Sequence, residues 1–410
     1  MNLDLNLDVN LDRSPAHAMA EEFRSGMPEA EGSRAVLEPV AVEVRGQDEP
    51  AKRPPLPHIT ALDGFRGCAV LLVLLFHYLP RRGLGAFGLV ASPGWTGVDA
   101  FLVLSAYLIT SILYRQRGSE RFYQNFYMRR ALRLFPLYYF ILFVALALSP
   151  LLHIHWRLGH LPFFLYGTNI ALGQDQSLGA LGPLNFHHLW TLALEEQFYL
   201  IWPWFIGSRL SRAALVRICW VGIALAFCLR TGMISHGHAN GWAIYQDLPT
   251  RMDSLLFGAL LALSPLPSAR AAWIALLGAL GVVTVIVLRA DTVWFCSLPM
   301  MTFGYTALGL FYAAVLSLAL RAGSSAARFL SLGSLRFFGR YSYGLYLWHY
   351  ICSEQIDRWT AWMYGALPLP AAVTSLLCFV VILLASTVVA VASYHTIEAP
   401  FLRLKLRYQA

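Results

Sequence analysis

From residue 59 onward, long apolar stretches alternate with short polar links. Ten stretches reach or approach bilayer-crossing length: roughly 60–80, 94–114, 134–152, 189–207, 213–230, 252–265, 271–289, 298–320, 337–355 and 370–394. They predict an all-α, polytopic membrane helix bundle of about ten transmembrane helices. The sixth stretch is the shortest, and residues 161–172 offer an eleventh, partial insertion. Thr60-Ala-Leu-Asp63, just after Pro57, has the spacing of a capping box and predicts where the first helix starts.

Residues 1–56 follow another pattern. They open with NLDLNLDVNLD, are poor in aromatics, and predict a disordered acidic tail. The tail lacks a basic segment followed by an apolar one, so it is not read as a secretory signal. Met19 and Met27 are alternative starts within it.

Composition agrees with a membrane protein: 57% of the 410 residues are hydrophobic and 13% are charged. The charges are unevenly placed. The first 50 residues hold 11 of the 23 acidic residues and 4 of the 31 basic ones, which leaves 27 basic against 12 acidic beyond them. Basic residues also alternate between links. Those on the side of both termini carry 19 and the opposite links seven, which predicts both termini in the cytoplasm. The six cysteines show no metal-ligand spacing, although Cys296 and Cys352 could bridge if both reached an oxidising face.

Carboxylates and cations inside apolar stretches are costly, so each is a candidate for function. Arg66 and His77 lie eleven residues apart on the first stretch. At 100° per residue they share one helix face, about 16 Å apart along the axis. The arginine could hold an anionic donor near one membrane face, and the histidine could take a proton deeper in. The competing reading is an arginine paired with Asp63 and an interfacial histidine.

NFYMRRALRLFPLYY places Arg129, Arg130 and Arg133 at a predicted helix start. This could be a phosphate site or a positive-inside anchor. HHLWTLALEEQFYLIWP carries His188 and Glu195 on one face, and that buried carboxylate needs an arginine or histidine partner. In RMDSLLFG, Arg251 and Asp253 are two apart and cannot face each other, so each should pair elsewhere. Asp99 reads as an interhelix partner or a cap. Tyr341, Ser342, Tyr343, Tyr346 and His349 line one stretch as a polar cavity wall or a packed polar seam. Glu398, beside Pro400, should pair with a cytoplasmic arginine.

Taken together and in order, these runs resemble acyltransferase family 3, bacterial membrane O-acyltransferases that modify surface polysaccharides and related molecules. LDGFRG…FHY, YMRRALRLFPLY and WTLALEEQFYLIWP are the most specific, with RMDSLLFG, GRYSYGLYLWH and IEAPF in support. The resemblance makes residues 57–405 a membrane acyltransferase domain. It implies that Arg66 and His77 are essential to acyl transfer, that Arg130 and Arg133 handle the donor, and that Glu195 is the family's glutamate. It also implies an acyl-CoA donor, acetyl-CoA foremost, and no metal. Two departures stand out. Ser105-Ala106-Tyr107 replaces the family's SGF, which puts close helix approach there in question. WTL replaces WSL but keeps the hydroxyl. The fused hydrolase-like domain of some members is not expected after the last stretch.

The function expected from this is transfer of an acyl group from acyl-CoA to a hydroxyl of an envelope glycan, exopolysaccharide or lipid-linked sugar. The location expected is a bacterial cytoplasmic (inner) membrane. His77 would be the base or, alternatively, a transient acyl carrier. The expected partners are the bilayer, the glycan acceptor and acyl-CoA, with no nucleic acid. Two alternatives stay open: an acyltransferase for a small-molecule glycoside such as a macrolide, and a proton-coupled transporter or flippase. No inverted repeat supports the last.

Overall fold

The computed structural model describes residues 58–80, 82–85, 91–237, 240–290 and 294–408. The predicted disordered tail, with Lys52 and Arg53, lies outside them, as does Arg81.

The apolar stretches fold as helices. They are α1 (Thr60–Tyr78), α2 (Gly97–Gln116), α3 (Phe122–Ala147), α4 (Trp190–Gly207), α5 (Arg212–Ser235) and α6 (Leu248–Leu263). Then come α7 (Ala269–Ala290), α8 (Tyr305–Ala319), α9 (Gly333–Arg340), α10 (Ser342–Trp348), α11 (Ser353–Ala366) and α12 (Ala371–Ser393). Among the described residues, seven helical segments are long and apolar enough to cross a membrane: those containing α1, α2, α3, α5, α7, α8 and α12. This is a multi-pass membrane architecture. Only one short hairpin, pairing Ala180–Leu181 with Leu184–Asn185, breaks the helical pattern among the described residues.

The shortest predicted span, α6, packs against α2, α5 and α8 at the centre of the bundle. Its sequence explains the fit. Gly258 meets the Val103 carbonyl of α2 so closely that any Cβ would overlap it. The small residue expected in the SGF position is therefore supplied from the facing helix, and Ala106 is fully buried without loss of close approach. α7 and α12 lie outermost and present Ile274, Leu288, Leu384 and Val388 outward, as lipid-facing helices do.

Two buried ion pairs tie this centre together. Arg251 donates to Asp99 at 2.7 Å and Arg230 to Asp253 at 2.9 Å, and all four side chains are fully buried. Arg251 and Asp253 thus pair elsewhere, and Asp99 is an interhelix partner. Ser254 also donates to Asp99 at 2.8 Å, and the Arg251 guanidinium lies 4.0 Å over the Tyr305 ring.

Several expectations need correction. The capping box does not form: helix α1 follows Ile59 with no side-chain cap, and the Thr60 hydroxyl instead bonds Ser331 at 2.9 Å. The basic run is not a helix start, because α3 begins at Phe122 and carries all three arginines before Pro136 inside one continuous helix. The ninth stretch is not one helix. α9 crosses α1 near its start, where Gly67 abuts Leu335 and Gly339 abuts Asp63. The chain turns at Tyr341, α10 runs back along α1, and helical pairing stops at His349 until α11. The six cysteines are unpaired, in keeping with the lack of a paired framework in the sequence, and the bridge left open between Cys296 and Cys352 does not form.

Candidate active site

The break after α10 is where the site is built. A helix end leaves carbonyls without amide partners, and here a side chain of the break itself and groups from distant elements take them. Nδ1 of His349 bonds the Tyr346 carbonyl at 2.7 Å. Nε2 of His188, just ahead of α4, bonds the Leu347 carbonyl at 3.0 Å. The Tyr78 hydroxyl, at the end of α1, donates to the His349 carbonyl. The Asn185 amide of the hairpin donates to the Ile351 carbonyl at 2.8 Å. Three of these four partners lie more than 150 residues away in sequence, and only His349 is local to the break.

These contacts bring three imidazoles together. The His349 ring centre lies 5.1 Å from that of His77 and 5.3 Å from that of His188, and Tyr350 sits 4.6 Å from His77. His188 and His349 are buried and His77 is half-buried. Nδ1 of His77 bonds the Val73 carbonyl at 2.9 Å, one turn back in α1.

A carbonyl can only accept, so each of these bonds fixes a tautomer. His77 and His349 carry their proton on Nδ1 and keep a lone pair on Nε2; His188 is the reverse. Nε2 of His349 and Nδ1 of His188 are buried without a hydrogen-bond partner among the described residues. Each ring in its neutral form therefore keeps one acceptor nitrogen. Among the described residues no three His, Cys, Asp or Glu side chains are arranged to hold a metal ion.

The hydroxyl network beside it is continuous. Thr191 donates to the Tyr346 hydroxyl at 2.6 Å, and Tyr346 donates to the His188 carbonyl at 3.0 Å. The hydroxyl kept in WTL therefore has a partner. Trp190 and Trp202 are buried packing residues, and Trp204 is exposed and stacks on Tyr123.

A second polar centre lies nearer the other end of α1. Helix α2 starts against residues 69–73 of α1 and runs antiparallel to it, so the C-terminal half of α2 shares a side with Arg66. There Ile109, Ile112 and Gln116 line a cleft with Phe126, Arg129, Arg130, Arg133 and Lys405. Arg130 donates from Nε to Glu196 at 2.9 Å and stacks 3.2 Å over Tyr199. Ser105 donates to Glu195 at 2.8 Å. Arg66 is buried, with Asp63 at 3.7 Å.

The structure therefore separates the predicted residues into two groups. His77 joins His188 and His349. Arg130 and Arg133 join the cleft. Among the described residues Glu195 does not partner a histidine; the Val73 carbonyl takes the Nδ1 proton of His77. The close arginine contact belongs to Glu196; Glu195 takes the Ser105 hydroxyl, with the Arg130 charge nearby. The charge of Arg133 reaches Glu398, although no hydrogen bond meets Oε1 of that glutamate among the described residues.

The acyltransferase domain model of acyltransferase family 3 matches residues 59–395. A peptidoglycan O-acetyltransferase OatA of Listeria monocytogenes is 31% identical over 72% of the chain and 49% of its own length. An O-acetyltransferase OatA of Staphylococcus aureus is 29% identical over 84% of the chain and 57% of its own length. A putative peptidoglycan O-acetyltransferase YrhL of Bacillus subtilis is 30% identical over 84% and 55%. The chain spans about half the length of these curated relatives. No solved structure matches.

Proposed function

The chain belongs to acyltransferase family 3, and on that footing we propose that it moves an acyl group, acetyl in our reading, from cytoplasmic acyl-CoA to a sugar hydroxyl at the outer face of a bacterial cytoplasmic membrane. The acceptor is an envelope glycan or a lipid-linked sugar. The relatives named for peptidoglycan support a cell-wall sugar. Both termini face the cytoplasm in this reading, following the charge of the links.

One observation carries it: His77 has its Nδ1 proton tied to Val73, so Nε2 is a bare base at the half-buried end of α1. Nε2 takes the acceptor's hydroxyl proton as the oxygen attacks the thioester carbonyl. The new O–C ester bond forms, the C–S bond breaks, and the thiolate leaves with a proton. Arg66, buried on the same helix about 16 Å away, holds or orients the donor. Arg130 and Arg133, with Arg129 and Lys405 beside them, attract the donor's phosphates by charge-assisted hydrogen bonds. Glu195 and Glu196 balance Arg130 and hold α2, α3 and α4 in register around it.

The test is the base-labile ester content of the cell envelope with and without the protein, paired with acyl-CoA-dependent ester formation by the purified protein. Esters that vanish with the protein support the proposal. Unchanged envelope esters with acylated secreted glycosides point to a small-molecule acceptor. Solute movement in vesicles without acyl-CoA points to a transporter.

A further inference from the structure

The proposed reaction uses one lone pair of the histidine cluster and leaves two. Nε2 of His349 is buried and has no donor among the described residues. The Tyr346 carbonyl accepts from Nδ1 and so places the neutral ring's single proton there, which leaves Nε2 as an acceptor. Its position is equally fixed, because the Tyr78 hydroxyl clamps the His349 carbonyl and His188 clamps that of Leu347. A buried acceptor left without a donor is costly, and a rigid site that keeps one is built for a ligand that brings a donor.

The neighbours narrow that ligand. The His349 ring lies 5.1 Å from His77, whose bare Nε2 faces the reacting hydroxyl in the reading above. Tyr350 and Tyr346 flank the pair, at 4.6 Å from His77 and 5.4 Å from His349. Two rings that each keep an acceptor nitrogen, 5.1 Å apart between centres and flanked by tyrosines, match a molecule with two donors on neighbouring carbons and an apolar C–H face.

We propose that His349 accepts a hydrogen bond from a second O–H or N–H of the acceptor, carried beside the reacting hydroxyl, so that the site selects a pyranose with such a donor pair over a lone alcohol. This rests on the acyl-transfer reading of the cluster. It makes His349 a specificity-determining residue and leaves the proton step to His77.

The test uses the full chain in nanodiscs with acetyl-CoA and two acceptors, methyl glucopyranoside and cyclohexanol, with ester products counted by mass spectrometry. The wild type should prefer the pyranoside. His349→Ala should raise KM for the pyranoside at least ten-fold, change kcat by less than three-fold, and leave cyclohexanol turnover within two-fold. His349→Gln, whose amide oxygen can accept, should recover much of the pyranoside KM. Equal losses on both acceptors would reduce His349 to a packing role, and no change on either would leave its lone pair to water; both overturn the proposal, as does a wild type without preference. Full turnover by His77→Ala would instead overturn the reading on which it rests.

Discussion

Asp99→Ala should unfold this protein far more readily than an exposed substitution. The carboxylate sits 2.7 Å from the Arg251 guanidinium and accepts from Ser254 at 2.8 Å, with neither member of the ion pair reaching solvent. Removing it strands a buried cation whose Nε and Nη1 already lack partners among the described residues, with the Tyr305 and Tyr245 rings as close neighbours. Breaking such a pair costs about 3–5 kcal/mol, and the lost Ser254 bond adds about 1 kcal/mol. Set against a total stability of about 5–15 kcal/mol, that is a large share. Asp99→Leu with Arg251→Met removes both charges and should cost much less than the two single changes together, by about 2 kcal/mol or more. Denaturant unfolding of the purified protein, followed by tryptophan fluorescence, measures all four variants. A loss under about 1 kcal/mol for Asp99→Ala, or strict additivity in the cycle, would refute the argument that this pair holds α2 to α6.

Gly258→Val should abolish stable folding, read as lost monodisperse protein in detergent, because its Cβ has no room beside the Val103 carbonyl. Arg130→Gln combined with Glu196→Gln, which removes the ion pair and leaves Glu195 to its Ser105 hydrogen bond, should raise KM for acyl-CoA about ten-fold, a loss of roughly 1.4 kcal/mol; an unchanged KM removes Arg130 from donor handling. Burial pushes the carboxyl of Asp247, in the link ahead of α6, up to about 6. An acid raised in the folded state favours folding while protonated, so this contribution is present below pH about 4 and is lost as pH rises through about 6. Melting curves between pH 4 and 7 should show that fall, and Asp247→Asn should flatten it.

The helices were legible because apolar length and link charge report directly on bilayer crossing. The central place of α6 was not, since it depends on Gly258 meeting a carbonyl some 155 residues away. The separate candidacies of His77, His188 and His349 were also readable, but their meeting was not. It requires the break after α10, and nothing local marks that break: its carbonyls are satisfied by Tyr78, His188 and Asn185 from elsewhere. Adjacent residues such as Glu195 and Glu196 point about 100° apart on a helix, so spacing alone could not say which one takes Arg130. The cap at Thr60 failed for a related reason. A tertiary partner, Ser331, captured the hydroxyl that local spacing assigned to the helix end.

The central claim is that His77 is the base of an acyl transfer. The most direct measurement is transfer of labelled acetyl from acetyl-CoA to a glycan acceptor by wild type and His77→Ala in proteoliposomes, with thermal melting as the folding control. The account predicts a loss of about 10²–10⁴-fold in rate for the variant with an unchanged melting transition. A variant that melts normally and transfers acetyl at the wild-type rate would contradict it.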